Sequence, residues 1–477
     1  MSEVVMELWA FTKELTKQAT RPQAERASDK LGAVVGFALV ACGLIFNEWV
    51  IAKIASTHGH IEIFLVRAIL WSIDVLLVLI GAFVVRHPPY GRVALLFIMP
   101  FLSLVACSFA IFAVLEVFPA LIVAMKLDYA PYYWMKSRWV PDDELVYRAR
   151  PLSKFHMTFK GDQFRDYVGV DVERKPYSAE YDEYGFRNVA MSHGRWDVAV
   201  LGDSFVEFGH HEDDTFASRL AVLSRMNVRN LGIGGHGPSQ YVRVLKRYGL
   251  TPKPRFVLFC FFEGNDMNDI RNYQKWKETK VHPYAISTGN NFVQRYIMAL
   301  KDVMYEPLVL IFGEHSQSPP GNLVTIKVGD STIKTAISYK NETRTPDELL
   351  KLNEWNILRE LLGEFKSIAE ENNIVPIVLF LPTKAHIYAE YSTSESETNW
   401  MTIRDQQIAV KDYVETAVEA LCREAGIELI SLTPTFERAA SQGEFLYYSF
   451  DTHWNPEGRQ LAASVVAQRL GSRIAMN

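Results

Sequence analysis

The sequence predicts an α/β protein in which a doubly wound parallel sheet is preceded by three transmembrane α-helices. Residues 31–125 are mostly apolar, whereas residues 126–477 hold most of the charges. In the second part short apolar segments alternate with amphipathic ones, as strands and helices do in parallel sheets. The 477 residues are 49% hydrophobic and carry a net charge of -5, which excludes a disordered chain, a disulfide-dense mini-protein and a globally basic nucleic-acid binder.

Three apolar runs, at 31–55, 63–85 and 93–115, form the predicted anchor. Each reaches the roughly 20 residues that a helix needs to cross a bilayer. A core helix of a soluble protein can be equally apolar, but three such runs joined by short polar links favour a membrane anchor at 31–125. Arg67 and Asp74 lie on one helix face of the second run. We expect Arg67 to reach the interface and Asp74 to meet a polar partner, although intramembrane charges also mark functional sites.

The lysines and arginines near the runs predict the orientation. The N-terminal arm at 1–30 is rich in both, and Arg86 and Arg92 lie in the second link, whereas the first link holds little beyond Lys53 and two histidines. We therefore expect the arm in the cytoplasm and, after three spans, the C-terminal part outside. The predicted location is the inner cell membrane, multi-pass, with the large C-terminal domain extracytoplasmic.

The soluble part divides into a leading segment at 126–190, rich in Tyr, Asp and Arg, and a larger domain at 191–477. Polar and aromatic sequence at about 272–345 predicts an insertion over the carboxyl edge of the sheet, where parallel α/β sheets hold their sites. The predicted strands are 197–201, 227–231, 256–262, 374–381 and 427–430. The predicted helices are 214–224, 239–248, 346–371, 404–425 and 456–470.

Four short motifs lie at the ends of these strands or just before the last helix. They are Gly202-Asp203-Ser204, Asn230 to Gly235, Gly264-Asn265-Asp266 and Asp451-Thr452-His453. Because the carboxyl ends of parallel strands meet at one edge, we expect their side chains to lie close together. A serine hydroxyl becomes a nucleophile when a base such as histidine takes its proton. A glycine-rich loop and an asparagine amide can supply N–H donors to the oxyanion that then forms.

These motifs resemble those of the SGNH (GDSL-type) hydrolase superfamily, whose signature is a Ser, a Gly, an Asn and a His in four blocks. The resemblance implies that Ser204 is the nucleophile and that His453 is the base, with Asp451 behind it. It also implies an oxyanion hole formed by Ser204, Gly235 and Asn265.

A second resemblance concerns the spacing around the histidine. Asp451-Thr452-His453-Trp454 looks like the Asp-x-His-Trp variant of alginate O-acetyltransferase relatives. The segment Leu381-Pro382-Thr383-Lys384, followed by Tyr388, is similar to a segment of that group. The order of the blocks, with the serine first, differs from that of the alginate enzymes. Besides the catalytic residues, we expect His236, Lys384 and Tyr388 to contact the substrate.

The predicted function is a membrane-anchored SGNH-type serine esterase that hydrolyses O-acyl esters, chiefly O-acetyl, on extracytoplasmic glycans. One alternative is an O-acetyltransferase to a cell-surface polysaccharide that uses the same triad. A second is a non-catalytic glycan-binding or scaffold module that partners a membrane acyltransferase. The expected partners are an acyl ester or glycan substrate and the lipid bilayer, with no nucleic acid. No cofactor is predicted, and the four cysteines form no Cys-x-x-Cys pattern that would suggest a metal site.

Overall fold

The computed structural model of the protein divides into two compact units, Met1–Ser137 with Ala285–Pro307, and Arg138–Tyr284 with Leu308–Asn477. Most of the predicted N-terminal arm, the end of the first apolar run and much of the predicted insertion lie outside the residues that the structure describes. The described residues are 23–45, 64–125, 127, 131–160, 174–188, 195–279, 292–293, 295–300, 303, 322–338, 343–394 and 400–476.

The first unit contains the predicted anchor. The described parts of its three apolar runs are helical. Its helices are α1 Gln23–Ile45, α2 Phe64–Arg86, α3 Gly91–Val117, α4 Ala120–Ala124 and α5 Pro131–Arg138, the last reaching the second unit. Among the described residues one helical stretch, Pro88–Val117, is long and apolar enough to cross a membrane, rather than the three predicted. The described part of α1 begins with a polar turn and ends at Ile45, and α2 carries charged side chains.

The helices of this unit pack through small residues and aromatic rings. A Cβ added to Gly36 on α1 would lie 2.8 Å from the carbonyl oxygen of Gly81 on α2, so the two backbones meet without intervening side chains. Helical residues at 295–300 belong to the same unit, where the ring of Tyr296 lies 5.6 Å from that of Phe112 on α3. Small-residue contacts of this kind are typical of helix packing in membranes.

A five-stranded parallel sheet organises the second unit. Its strands are β5 Val198–Gly202, β6 Val228–Gly232, β7 Phe256–Phe262, β10 Val375–Leu381 and β12 Glu428–Ser431. Their spatial order is β12-β10-β7-β5-β6, with every pair parallel. The predicted α/β class is therefore confirmed, and each predicted strand is found within one residue of its predicted bounds. The chain reverses its winding direction between β5 and β7, which is where doubly wound sheets open a crevice for ligands.

Helices cover both faces of this sheet. Alternate residues of β5 enter different cores: Ala199 and Leu201 belong to one buried cluster, and Val198 and Val200 belong to the other. Burial on both faces explains why these strands read as continuous apolar runs. The helices of the unit are α6 Ser204–Glu207, α7 Phe216–Ser224, α8 Pro238–Val244, α9 Asp266–Thr279, α10 Pro346–Leu349, α11 Asn353–Glu371, α12 Lys384–Tyr388, α13 Trp400–Val410, α14 Tyr413–Ala425, α15 Thr433–Ser441 and α16 Pro456–Met476.

Smaller antiparallel sheets flank the main one. In the leading segment β1 Trp139–Asp142 pairs with β2 Val146–Ala149, and β3 Lys154–Lys160 pairs with β4 Arg174–Glu180. Within the predicted insertion β8 Asn322–Val328 and β9 Ser331–Ile337 form a hairpin, which β11 Ser392–Thr393 extends. The hairpin contacts the segment just before Asp451, because the N–H of Ala336 donates to the carbonyl of Ser449 at 2.8 Å.

Candidate active site

Ser204 lies at the turn between β5 and α6. Asp203 caps this helix, and its carboxylate accepts the N–H of Phe205 at 2.9 Å. A Cβ on Gly202 would lie 2.3 Å from a methyl carbon of Val206, so the chain can turn this tightly only through a glycine. The serine consequently begins a helix at the carboxyl end of the strand, where the helix N-terminus favours negative charge.

His453 brings the C-terminal loop to this serine. Its Nε2 atom lies 2.6 Å from Ser204 Oγ, across 249 positions of sequence. Its Nδ1 atom contacts Asp451 Oδ1, and its main-chain N–H donates to the same oxygen at 2.8 Å. The contacts fit one tautomer, in which Nδ1–H donates to Asp451 and Nε2 accepts the serine hydroxyl. This is the order of contacts found in serine triads.

The imidazole of His453 is also held by two aromatic rings. Phe205 lies 4.9 Å from it between ring centroids, and Phe208 lies 5.3 Å away at an edge-on angle. Burial raises the pKa of Asp451, but His453 and its hydrogen bonds lower that pKa overall. Asp451 therefore remains a carboxylate at neutral pH, which is the form that can accept the Nδ1–H.

The loop after β6 and the residue that precedes α9 also lie close to the serine turn. A Cβ added to Gly234 would lie 3.6 Å from the Cβ of Ser204, and Gly235 adopts a φ of 78°, a conformation that glycine reaches without strain. The amide nitrogen of Asn265 donates to Asp269 at 2.7 Å. Burial raises the pKa of Asp203 to about 6, while Phe205 N–H, His453 and Asn265 oppose the rise. Asn265 thus lies near the serine turn.

A buried carboxylate that we did not predict joins these parts. Glu207, on α6, accepts hydrogen bonds from Arg138, from the Tyr181 hydroxyl at 2.5 Å and from the N–H of Gly234. Burial raises the pKa of Glu207, but Arg138 and these donors lower it overall. The sequence gives one signal for Glu207, a charge three residues after Ser204, but nothing local identifies Arg138 as its partner.

The three predicted substrate contacts have described partners within the protein. His236 is buried, and its Nε2 atom lies 2.9 Å from the carbonyl of Tyr147. Tyr388 is buried and donates to the carbonyl of Glu444 at 2.6 Å. Lys384 is buried and donates to the carbonyls of Ala336 and Ser449, each at 3.0 Å. The contact of these three side chains with the substrate stays a prediction.

Among the described residues, no group of three or more His, Cys, Asp or Glu side chains could hold a metal ion. His210 and His211 instead line a cavity of about 580 Å³ together with apolar residues such as Val222.

The sequence of the C-terminal part is similar to that of a known protein family. Residues 342–476 match the model of a family described as the SGNH hydrolase-like domain of acetyltransferase AlgX. The resemblance inferred from the motifs is confirmed. The match includes Asp451 and His453 but begins after Ser204 and Asn265 in the sequence. Ser204 and Asn265 follow β5 and β7 at the same edge of the sheet, and His453 contacts Ser204 there.

The solved structures to which this chain is similar include the following three. An α/β hydrolase from the metagenome of Lake Arreo, Spain, is 13% identical, with 58% of this chain and 95% of that chain covered and a TM-score of 0.31. A putative SGNH hydrolase from Slackia heliotrinireducens is 14% identical, with coverages of 57% and 98% and a TM-score of 0.30. An acetyl-xylooligosaccharide esterase from Geobacillus Stearmophilus is 11% identical, with coverages of 58% and 95% and a TM-score of 0.30. No curated protein matches the chain.

Proposed function

We propose that this protein is a membrane-anchored serine esterase that cleaves O-acyl esters, chiefly O-acetyl esters of extracytoplasmic glycans, at Ser204. The observation that carries the proposal is the chain of contacts from Ser204 Oγ to His453 Nε2 and from His453 Nδ1 to Asp451. A histidine placed in this way can remove the serine proton while the carboxylate stabilises the imidazolium that forms.

The reaction begins when His453 Nε2 takes the proton of Ser204 Oγ and the oxygen attacks the acyl carbonyl. The carbonyl oxygen becomes an oxyanion, which the N–H groups of Ser204 and Gly235 and the amide of Asn265 would stabilise. His453 then gives its proton to the departing alcohol oxygen as the ester bond breaks, leaving an acyl group on Ser204. Water attacks this acyl-serine while His453 takes its proton. The bond between the acyl carbon and Ser204 Oγ then breaks, His453 returns the proton to Oγ, and the carboxylic acid leaves.

Transfer of the acyl group to a sugar hydroxyl is the second candidate function. The match of residues 342–476 to an acetyltransferase domain favours it. The two functions share every step up to the acyl-serine and differ in whether water or an alcohol resolves it. Incubation of the full-length protein with one acetyl donor and a glycan acceptor, with acetate and acetylated glycan measured together, separates them. Acetate as the sole product supports the esterase assignment. Acetylated glycan as the sole product contradicts it and supports the transferase assignment.

The role of Ser204 is tested on 4-nitrophenyl acetate. We expect Ser204→Ala to lower the turnover of the full-length protein by about 10⁴-fold or more, in line with the removal of other triad nucleophiles. Ser224→Ala, at the end of α7, is the matched control and should retain the parental rate. Equal rates for Ser204→Ala and the parent would remove Ser204 from the reaction and favour a non-catalytic binding or scaffold module.

The anchor is supported by the apolar surface of the first unit. Leu96, Leu104 and Val117 on α3 are each about 70% exposed, at 73%, 68% and 68%, and a soluble protein seldom leaves so much apolar surface in water. The close backbone contact of Gly36 with Gly81 suits helices packed in lipid. A phosphatase that is active only outside the cytoplasm, fused after Asn477, should be active. A fusion active only as a cytoplasmic reporter would overturn the outward placement.

A further inference from the structure

The buried ion pair between Arg138 and Glu207 connects the start of the second unit with the candidate site. Arg138 is the residue at which the second unit begins. Its side chain is 1% exposed, and that of Glu207 is 0% exposed. Isolating two charges from water is costly, so a pair kept in such a place needs further hydrogen bonds that satisfy both groups.

Glu207 divides its two carboxylate oxygens between different donors. Oε1 accepts from Arg138 and from the Tyr181 hydroxyl, and Oε2 accepts the N–H of Gly234. Gly234 directly precedes Gly235, whose N–H the proposed mechanism aims at the oxyanion. Glu207 also lies on the same helical turn as Ser204. The carboxylate therefore fixes the glycine loop relative to the nucleophile.

Arg138 is connected to His453, the proposed base, through the ring of Phe208. Its guanidinium carbon lies 5.3 Å from the centroid of the Phe208 ring. The centroid of the same ring lies 5.3 Å from that of the His453 imidazole. The peptide N–H of Arg150 donates to the Arg138 carbonyl at 2.6 Å, which holds the backbone of Arg138 in place. One side chain thus supports both the oxyanion loop and the imidazole.

We infer that Arg138 and Glu207 are positioning residues, which hold the Gly234-Gly235 loop and the ring of His453 in register with Ser204. The inference rests on the proposed function, because it assigns these residues to the acyl chemistry at Ser204. Neither side chain touches the reacting atoms. They act by fixing the direction of the Gly235 N–H, and a misplacement of about 1 Å in such a group lowers a rate by about 100-fold.

Glu207→Gln is the decisive variant. The two donors approach different oxygens of Glu207, so in a glutamine the NH₂ group replaces one acceptor and faces either Arg138 or the N–H of Gly234. We expect kcat on 4-nitrophenyl acetate to fall by about 30- to 100-fold per folded enzyme, with KM changed less than threefold. The rate of Ser204 labelling by a fluorophosphonate should fall in parallel, because that reaction uses the same oxyanion donors.

Two milder variants keep the test valid if Glu207→Gln does not fold. Tyr181→Phe removes one donor from Glu207 and should lower kcat by about three- to tenfold. Arg138→Lys keeps the charge and should retain more activity than Arg138→Met. The matched control is Arg229→Met, since Arg229 is also buried but donates to the main-chain carbonyl of Thr251 at 3.2 Å. It should lower thermal stability and leave kcat per folded enzyme at the parental value.

The outcomes separate the inference from the function on which it rests. If Ser204→Ala abolishes turnover while Glu207→Gln and Tyr181→Phe keep the parental kcat, the positioning role is wrong and the esterase stands. If Ser204→Ala has no effect, the proposed function itself fails. If Arg229→Met lowers kcat as much as Glu207→Gln does, the loss reflects general destabilisation and the positioning role is also wrong.

Discussion

Lys384 donates to the main-chain carbonyl of Ser449 at 3.0 Å, two residues before Asp451. The same ammonium group donates to the carbonyl of Ala336 on the β8–β9 hairpin at 3.0 Å. Lys384 therefore joins the hairpin to the loop that carries Asp451 and His453. The described contacts of Lys384 thus support the loop of the acid–base pair, and its contact with the substrate stays a prediction.

Replacement of Lys384 by methionine should loosen this loop. We expect Lys384→Met to lower kcat by about tenfold or more, since one misplaced catalytic group suffices for such a loss. The positive charge of Lys384 also lowers the pKa of Asp451, so its removal should move the acid limb of the pH–rate profile to higher pH. Lys334→Met, on an exposed position of β9, is the control and should change neither quantity. An unchanged acid limb in Lys384→Met would contradict the effect of the Lys384 charge on the pKa of Asp451.

Asp451→Asn should lower kcat by about 10⁴-fold while the protein stays folded. The amide keeps the shape of the carboxylate but can present its NH₂ group to His453 Nδ1, which stabilises the tautomer that cannot accept the serine proton. Steady-state kinetics on 4-nitrophenyl acetate measures the loss. Glu457→Gln, an exposed acidic residue in the first turn of α16, serves as the control with parental activity. A loss below tenfold would show that His453 works without Asp451.

Asn265→Ala should lower kcat by about 10²- to 10³-fold, the usual cost of one oxyanion donor, or about 3 kcal/mol in the barrier. KM should change little, because the interaction strengthens only as the oxyanion forms. Asn268→Ala, an exposed asparagine one turn further along α9, should behave like the parent. Equal kcat values for Asn265→Ala and Asn268→Ala would exclude the amide of Asn265 from the oxyanion hole.

Because of His386, the free energy of unfolding should decrease as the pH rises into the alkaline range. Burial lowers the pKa of His386, but Glu263 and Asp412 raise it to about 10 overall. The ring lies 3.2 Å from Glu263 Oε2 and 3.3 Å from Asp412 Oδ1. Because the folded protein keeps a proton that the unfolded chain releases near pH 6.5, the stabilisation is complete below about pH 6.5 and is lost toward pH 10.

The limiting slope for one proton is about 1.4 kcal/mol per pH unit. His386→Gln should therefore lower the melting temperature most below about pH 6.5, and the difference from the parent should shrink toward pH 10. Scanning calorimetry of both proteins across this range checks the expectation. His211→Gln, an exposed histidine, should give the same pH dependence as the parent. A difference that grows with pH would mean that His386 is neutral in the folded protein.

The sequence predicted the main sheet well because its strands are buried on both faces and end in turn-forming residues. Helix boundaries were less accurate. The predicted helix at 346–371 is split by a turn between α10 and α11, since apolar periodicity continues through the break. The β8–β9 hairpin was missed although alternating residues flank Gly329, which has a φ of 57° and marks its turn. That pattern was a usable signal.

The candidate site shows a different limit. Ser204, Asn265 and His453 were recognisable because each lies at a strand end or before a helix, where local pattern and motif agree. Glu207 and Arg138 were not, because their significance depends on a contact across 69 positions that no local pattern encodes. Buried charge pairs follow from packing, and packing is decided by the whole chain.

The assignment of Ala285–Pro307 to the first unit has a consequence for the integrity of the molecule. The chain passes between the two units three times, after Ser137, after Tyr284 and after Pro307. A protease that cuts once at the first of these crossings therefore leaves the catalytic unit tethered, because Phe292 and Tyr296 remain packed against α3. Release of the second unit would need a cut at each of the three crossings, so a single cleavage does not separate the two units.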